Sequence, residues 1–477
     1  CMGLTPAYVK VLQRHWMRDD IATITNTYPD HEDVQGPAGR NIPEVMVNFI
    51  PRNSRLITSE EQMRPILAEA ARELGTSFAG VGWLEAGLIP DEVLERFPYE
   101  EHPYNIALVT AMAAELGIAP DVAVKEMADR VVQDIGALKV YPEARVLSRR
   151  LEFVLGNSAN ERFGALGNWA RVGFDKQDPV AEPDTWITTV INNRADRVPR
   201  SRVFASIIVK DISADRHVLI GSNLEGLQGF IEEAWGELVQ GITLWPSDRA
   251  TFGPAEELKA WAHRFRIVHT AGQLRCVLEA MLRDLGDAEE WLARISPAQE
   301  AEVAQLLRTS GLADAVAVAD HFEAARQQLQ QYRTLEASLQ SSAAPDEIDR
   351  QLREQAHAWF EAKIVVVQNY YATGEEIVRT LAGITPPGFR NRIMGMQNIK
   401  GTGLDFVYRW HAWETVHRAC ADSLGDDRAK VQRGLETLSS FREFGILSAE
   451  LVRHVVKELR SREITGGEIS QGLLDLI

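Results

Sequence analysis

The sequence predicts an α/β protein, two strand-and-helix units followed by an all-α extension. Short apolar runs rich in β-branched residues alternate with helical patterns over residues 1–145 and again over 146–284. The runs tend to be followed by polar turns, as parallel strands covered on both faces by helices require. From 285 to 477 no run reads as a strand, and apolar residues recur at helical spacing.

In the first unit, helices are expected over 6–17, 58–74 and 103–116, and strands over 21–25 and 76–81. Thr58 and Glu61 have capping-box spacing. Ile106, Val109, Met112 and Ala113 give the third helix one buried face. Residues 134–138 read as a linker. In the second unit, 153–155, 186–191, 217–220 and 265–268 read as buried strands, the last opening a closing strand-turn-helix over 265–282. In the extension, Val318, Phe322, Ala325, Leu329 and Tyr332 mark one long helix, and Leu451, Val455, Val456 and Leu459 another. Breaks at 341–345 and 384–388 separate helix pairs, and Trp359, Phe360, Tyr370 and Tyr371 fit a helical core.

A chain of 477 residues is too long for one core. No apolar run approaches the ~20 residues of a membrane span, and no signal peptide opens the sequence. Cys1, Cys276 and Cys420 show neither pairing nor metal-ligand spacing, which fits a reducing compartment. A net charge of −17 argues against nucleic acid as a partner. A first residue Cys1, in a segment that reads like the middle of a fold, predicts a fragment.

Four polar clusters carry the chemistry. Asn26 to Asp33, with Asp30, His31, Glu32 and Asp33, follows the first strand, where open α/β sheets bind ligands. It is either a turn capped by its own carboxylates or a site for Mg²⁺, which keeps several waters and needs few protein ligands. Asn105, beside Tyr104 at a helix start, either caps that helix or meets a purine edge. Gly156 to Glu161 includes Asn160. Arg194, Arg197, Arg200 and Arg202 crowd nine residues around Asp196, and their place after a core strand favours an anion site over a solvated face. Met396 to Gly403 contains a Gly-Lys pair, but no strand is read before it and its spacing is not that of a phosphate loop, so it reads as a turn between helices.

Those residues, in order, carry a resemblance. Met2-Gly3-Leu4, Asn26 with Asp30-His31-Glu32-Asp33-Val34-Gln35-Gly36-Pro37, Tyr104-Asn105 with Glu115-Leu116-Gly117-Ile118, Phe153-Val154 with Ala159-Asn160-Glu161, and Asn193-Arg194-Ala195-Asp196-Arg197-Val198 resemble the ATP-dependent ligase subunit of poly-γ-glutamate synthesis, a branch of the Mur ligase superfamily. The resemblance implies a Mur-ligase-like central (ATPase) domain, incomplete, over 1–145 and a Rossmann-like C-terminal ligase domain over 146–284, with the role of 285–477 open. It implies amide formation through an acyl phosphate, with ATP and Mg²⁺ as cofactors, and glutamate or poly-γ-glutamate as substrate. By resemblance His31 is a Mg²⁺ ligand supported by Asp30 and Asn26, Asn105 contacts adenine, and Asn160 and Glu161 lie near the ribose and phosphates. Glu161 stands where the family has Asp. The charge of Arg194 and Arg197, with Asp196 among them, assigns that group to substrate carboxylates.

The family's phosphate loop and membrane anchor are expected before residue 1, so this stretch alone is expected not to hydrolyse ATP. The parent is expected in the cytoplasm at the inner face of the membrane, held there by the missing segment or by membrane subunits of a capsule-synthesis complex. A Mur-type ligase with another amino acid or a peptide as substrate, and a non-catalytic scaffold, are the alternatives.

Overall fold

Leu56 and Ile57 have no exposure to speak of, and they point to opposite faces of one strand, which places a sheet between two helical layers. The computed structural model describes residues 5–29, 41–246, 253–283, 288–295, 300–312, 314–440 and 447–461. The chain divides into two compact units, 1–139 with 158–165, and 140–157 with 166–477.

In the first unit, β1 (Ile21–Ile24), β2 (Arg55–Thr58) and β3 (Ser77–Gly80) form a parallel sheet in that order. Leu56 joins Ile24, Ile50, Leu67 and Ala71 on one face. Ile57 joins Val81, Ala107 and Leu108 on the other, under the helix Pro103–Glu115. The helix expected over 58–74 starts later, at Arg64. Thr58 ends β2 instead, because its hydroxyl donates across the sheet to the Ile24 carbonyl at 2.6 Å and so is not a cap.

The second unit holds β4 (Lys139–Val140), β5 (Ala144–Val146), β6 (Arg149–Leu155), β7 (Thr185–Asn193), β8 (Arg216–Gly221), β9 (Ile364–Val366) and β10 (Arg390–Met396). Their order is β4-β6-β10-β7-β8-β9, with β5 antiparallel on β6. From β6 to β9 every neighbour is parallel. Parallel sheets and covering helices bear out the α/β class.

The expectation of no strand beyond residue 285 does not hold. β9 and β10 lie there, and β10 is the strand between β6 and β7, with Ile393 beside both Phe153 and Thr188. The helices up to Pro345–Glu361 are therefore a long excursion between β8 and β9 of one sheet. They share a core in which Leu278, Met281, Leu307, Val318 and Phe322 meet Phe389, the residue before β10. The closing strand expected at 265–268 is a turn between the helices Pro254–Arg264 and Ala271–Arg283. There Arg266, at φ +48°, pairs with Asp215 at 2.8 Å. Residues 384–388 join the helix Gly374–Ile384 to β10, not to another helix. Trp359 and Phe360 are core, but Tyr370 and Tyr371 are 49% and 83% exposed.

β10 escaped the sequence pattern because it opens with Arg390-Asn391-Arg392 and carries Gly395 near its end. Charge holds it in place. The buried Glu152 carboxylate of β6 accepts from Arg390 and, at 2.7 Å, from Arg392 Nε. The Arg392 guanidinium also donates to the Val172 carbonyl and lies 4.5 Å over the Phe174 ring. Behind β10, Phe406 and Trp410 of the helix Thr402–Leu424 pack on Phe153 with ring centroids 4.8 and 5.5 Å away. Among the described residues no helix is long and apolar enough to cross a membrane.

Two predictions follow from this sheet. Glu152→Ala leaves two guanidinium groups without their buried partner, so urea unfolding should show a loss of about 3 kcal/mol. Lys363, just before β9, is fully enclosed, and burial first, then Arg216 and Arg266, pushes its pKa from 10.5 down to about 7. Its charged form is therefore penalised in the folded state, and its contribution to stability rises with pH between about 7 and 10.5. The stability of Lys363→Met relative to the parent should be highest below pH 7 and decline toward pH 10.5, measured by denaturant midpoints across pH. A constant difference overturns the burial account.

Candidate functional site

In the first unit the carboxyl edge of the sheet is built around Glu60. Its carboxylate is buried and accepts from the Thr27 N–H at 2.7 Å, the Thr27 hydroxyl at 2.9 Å and the Met63 N–H at 2.9 Å. That clamp fixes the turn after β1. Asn26 stands in it as an Asx turn, its side-chain oxygen accepting from the Tyr28 N–H at 3.2 Å. Asp30 and His31 lie outside the described residues, and so does the metal site expected on them. Among the described residues no group of three His, Cys, Asp or Glu side chains could hold a metal ion.

Glu61, one residue on, accepts from the Trp83 N–H at 2.8 Å and the Tyr104 hydroxyl at 3.2 Å, which brings the start of the helix Pro103–Glu115 to the same edge. Burial and then Glu61 raise the Tyr104 pKa. Asn105 donates to Glu101 Oε1 at 2.8 Å, and His102 supplies the cap of that helix. Beside Asn105 runs an open groove of about 810 Å³, walled by Phe97, Ile106, Val109, Met112 and Met127, with Glu101, Glu126 and Arg130 as its charged residues. Apolar walls beside the Asn105 carboxamide suit the flat ring of a purine, so the residues present fit the adenine of ATP.

Phe163 stacks on Tyr28 at 6.0 Å and 29°. Burial raises the Tyr28 pKa, helped by Glu60, Glu161 and Glu61. Glu161 thus reaches the edge that Asn26 and Asn105 share. Its carboxylate accepts from the Phe163 N–H at 2.6 Å and from the Gly164 N–H, so it serves the start of the helix Arg162–Arg171 as a cap. Asn160 precedes it and is half-buried.

In the second unit, the parallel order β6-β10-β7 brings the loops after three strands together. After β7, Arg194 forks onto Asp196 at 3.0 and 2.7 Å, and Arg197 stands 3.8 Å from the same carboxylate. Asp196 is 57% exposed, so this ion pair opens readily to a competing anion. Arg200 donates to Asn398 Oδ1 at 2.7 Å. Arg202 turns away onto the Phe230 ring.

Sequence reasoning missed what Asn398 belongs to. Residues 396–403 are not a turn between helices. They link the central strand β10 to the helix Thr402–Leu424, a strand-loop-helix with the positive end of a long helix at the sheet's carboxyl edge. Asn157 and Asn192 hold the loop by donating to the carbonyls of Met396, Asn398 and Lys400 at 2.8–2.9 Å. Asn398 returns a bond to the Asn192 carbonyl at 3.0 Å. Gln397, fully buried at φ +78°, donates to Asn193 Oδ1 at 2.8 Å, which also accepts from Ser201 at 2.7 Å. The carboxamide oxygens of Asn157, Asn192 and Gln397 are buried without a partner. Each costs about 1–3 kcal/mol, strain of the kind that collects at functional sites. The signal was present as Asn157 and Asn192-Asn193 in two of the singled-out clusters.

Residues 140–306 match the family model of the poly-gamma-glutamate synthase CapB C-terminal domain. PGA synthase CapB of Bacillus subtilis (strain 168) is 31% identical over 236 residues, 49% of this chain and 57% of the relative. Capsule biosynthesis protein CapB of Bacillus anthracis is 29% identical over 236 residues, 49% of this chain and 48% of the relative. The chain spans about half the length of these curated relatives. Among solved structures, MurF from Acinetobacter baumannii is 15% identical with a TM-score of 0.33, covering 50% of this chain and 55% of its own. FPGS of L. casei is 13% identical with a TM-score of 0.27, covering 45% and 56%.

The loop after β10 depends on close approach at Gly395, where a Cβ would fall 2.2 Å from Asn157 Oδ1 and 3.0 Å from the Phe153 ring. Gly395→Ala should cost about 1–3 kcal/mol in denaturant unfolding. Asn157→Ala in the same background should restore part of it, and a double variant no better than the sum of singles overturns this packing account.

Proposed function

We propose that this CapB-like chain is the ligase part of an ATP-dependent enzyme that joins glutamate to a poly-γ-glutamate chain. The observation that supports it best is an apolar groove beside Asn105 in one unit, together with an arginine-bearing carboxyl edge in a unit that matches the CapB C-terminal domain.

In this reading a glutamyl carboxylate takes the terminal phosphoryl group of ATP, ADP leaves, and the amine of the incoming glutamate attacks the acyl carbon. The tetrahedral adduct expels phosphate, the amine loses a proton, and an amide remains. His31, with Asp30 and Asn26 in support, would hold Mg²⁺, which would supply charge neutralisation at the phosphoryl oxygens. The chain's own residues do the positioning. The groove holds the base, and Asn105 presents its carboxamide to the purine edge. Asn160 and Glu161 border the nucleotide, Glu161 by fixing the start of its helix. Arg194 and Arg197 exchange Asp196 for a substrate carboxylate, with the fork geometry that a carboxylate matches. The helix that begins at Thr402 adds its positive end to the same edge. Membrane subunits of a capsule-synthesis complex, and a place at the inner face of the membrane, belong to the same proposal.

The gene product that carries this sequence should release ADP when given ATP, Mg²⁺ and glutamate, followed by a coupled assay. His31→Ala should abolish release. Arg194→Ala should raise the glutamate KM about tenfold, about 1.4 kcal/mol, with less effect on the KM for ATP. Undiminished turnover in the His31 variant overturns the assignment. Stimulation by another amino acid or a peptide, and not by glutamate, keeps the ligase and replaces the substrate.

A further inference from the structure

At the amino end of the large sheet a second site is built from residues that the ligase reading leaves unused. Thr185, Arg216 and Lys363 stand at the amino ends of β7, β8 and β9, and Phe389 just before β10. They border a cavity of about 90 Å³ with Trp186, Arg266 and His321. β7 has nine residues, so at about 3.3 Å per residue this cavity lies on the order of 25 Å from Arg194.

Its charges do not balance. Asp215 is the carboxylate among the lining residues, and it is committed: Oδ2 accepts from the Ile187 N–H and from Arg266 Nε, both at 2.8 Å. Arg266 also donates to the Thr185 carbonyl at 3.3 Å. Lys363 Nζ donates to the Ala214 carbonyl at 2.8 Å, and Arg216 to the Asp215 carbonyl at 2.8 Å. Among the described residues neither Lys363 nor Arg216 is in an ion pair. Two more ring nitrogens, Trp186 Nε1 and His321 Nε2, are buried without a partner. Their rings stack at 6.5 Å and 15°, with the Arg216 guanidinium 5.3 Å over the indole. Burial lowers the pKa of Lys363, of His321 (to about 4) and of Arg216. Burial outweighs the opposing pull of Asp215 on Lys363 and Arg216 and of Asp320 on His321, so all three groups are pulled toward neutrality.

We propose that this cavity binds one small oxyanion, a phosphate or a carboxylate group, against Arg216 and Lys363. The volume suits one tetrahedral or planar oxyanion. An anion there supplies the missing charge and accepts from donors that otherwise have none. One wall, His321 with Gln328, comes from the helix Ala315–Leu339, so the site exists only because the excursion between β8 and β9 covers the sheet's amino end. The inference stands apart from the ligase reading.

The test is isothermal titration of the whole chain with inorganic phosphate and, separately, with acetate, alongside thermal unfolding in each. Saturable binding of either ion is expected, with a matching rise in Tm. Arg216→Gln should weaken it at least tenfold, and Arg202→Ala, at a side chain that lies over the Phe230 ring and in neither site, should leave it unchanged. Should Arg216→Gln fail to fold, Lys363→Met carries the same expectation. Binding of phosphate alone identifies a phosphoryl ligand, and binding of acetate, a carboxylate. No saturable binding, or binding that survives both Arg216→Gln and Lys363→Met, overturns the proposal.

Discussion

The buried Glu152 carboxylate, shared by Arg390 and Arg392, is the contact on which the second unit turns. It joins positions about 240 residues apart and seats the last strand of the sheet in its middle. A purely apolar β10 could pair anywhere along an open edge. Two arginines facing one enclosed carboxylate penalise every other register, because a slipped strand would bury guanidinium groups against apolar neighbours. Closing so long a loop costs little more than closing a loop half its length. The cost falls on the folding rate instead, since β6 and β7 must wait for a partner from far down the chain.

That insertion also explains the form of the carboxyl edge. With β10 between β6 and β7, the loops that follow three strands arrive within hydrogen-bond reach of one another. Carboxamides dominate there, in Asn157, Asn192, Asn193, Gln397 and Asn398, because one such side chain can both donate to a carbonyl and accept from a neighbour. The network leaves three oxygens unpartnered, yet it holds Gln397 in a left-handed conformation and aims the helix that begins at Thr402. Rigidity at this edge is bought with hydrogen-bonding capacity.

Much of the fold was legible in the sequence where pattern and burial coincide. β7 is a nine-residue strand buried along almost its whole length, and Trp186 to Ile191 announced it. β6 and β8 were readable for the same reason, and β1 and β3 from their residue types although little of either is buried. β2 was not, because Thr58 and Glu61 imitate a capping box while the Thr58 hydroxyl in fact bridges to β1. β10 was not, because its charges are answered by a residue in another strand, which no local window can register. With β10 unseen, residues 396–403 lost the strand that gives the Gly-Lys pair its meaning. The candidate site was legible in part. Asn26, Asn105 and Glu161 share one edge of the first unit, and Arg194, Asp196 and Arg197 stand together at the edge of the second. That Glu161 serves as a cap follows from local backbone geometry, which residue type alone does not specify.

The helices between β8 and β9 shape the amino end of the sheet. Without them β9 would not be added beyond β8, Lys363 would stand in water, and Arg216 would need no counter-charge. Covering that end with His321, Ala325 and Gln328 shields the cations and leaves Asp215, already engaged by Arg266, to compensate three of them. A chain under pressure only for stability would replace Arg216 or Lys363 with an apolar residue, since swapping enclosed charges for well-packed hydrocarbon is often neutral or favourable. Their presence beside two unpartnered ring nitrogens is the pattern of a site whose stability is completed by a ligand.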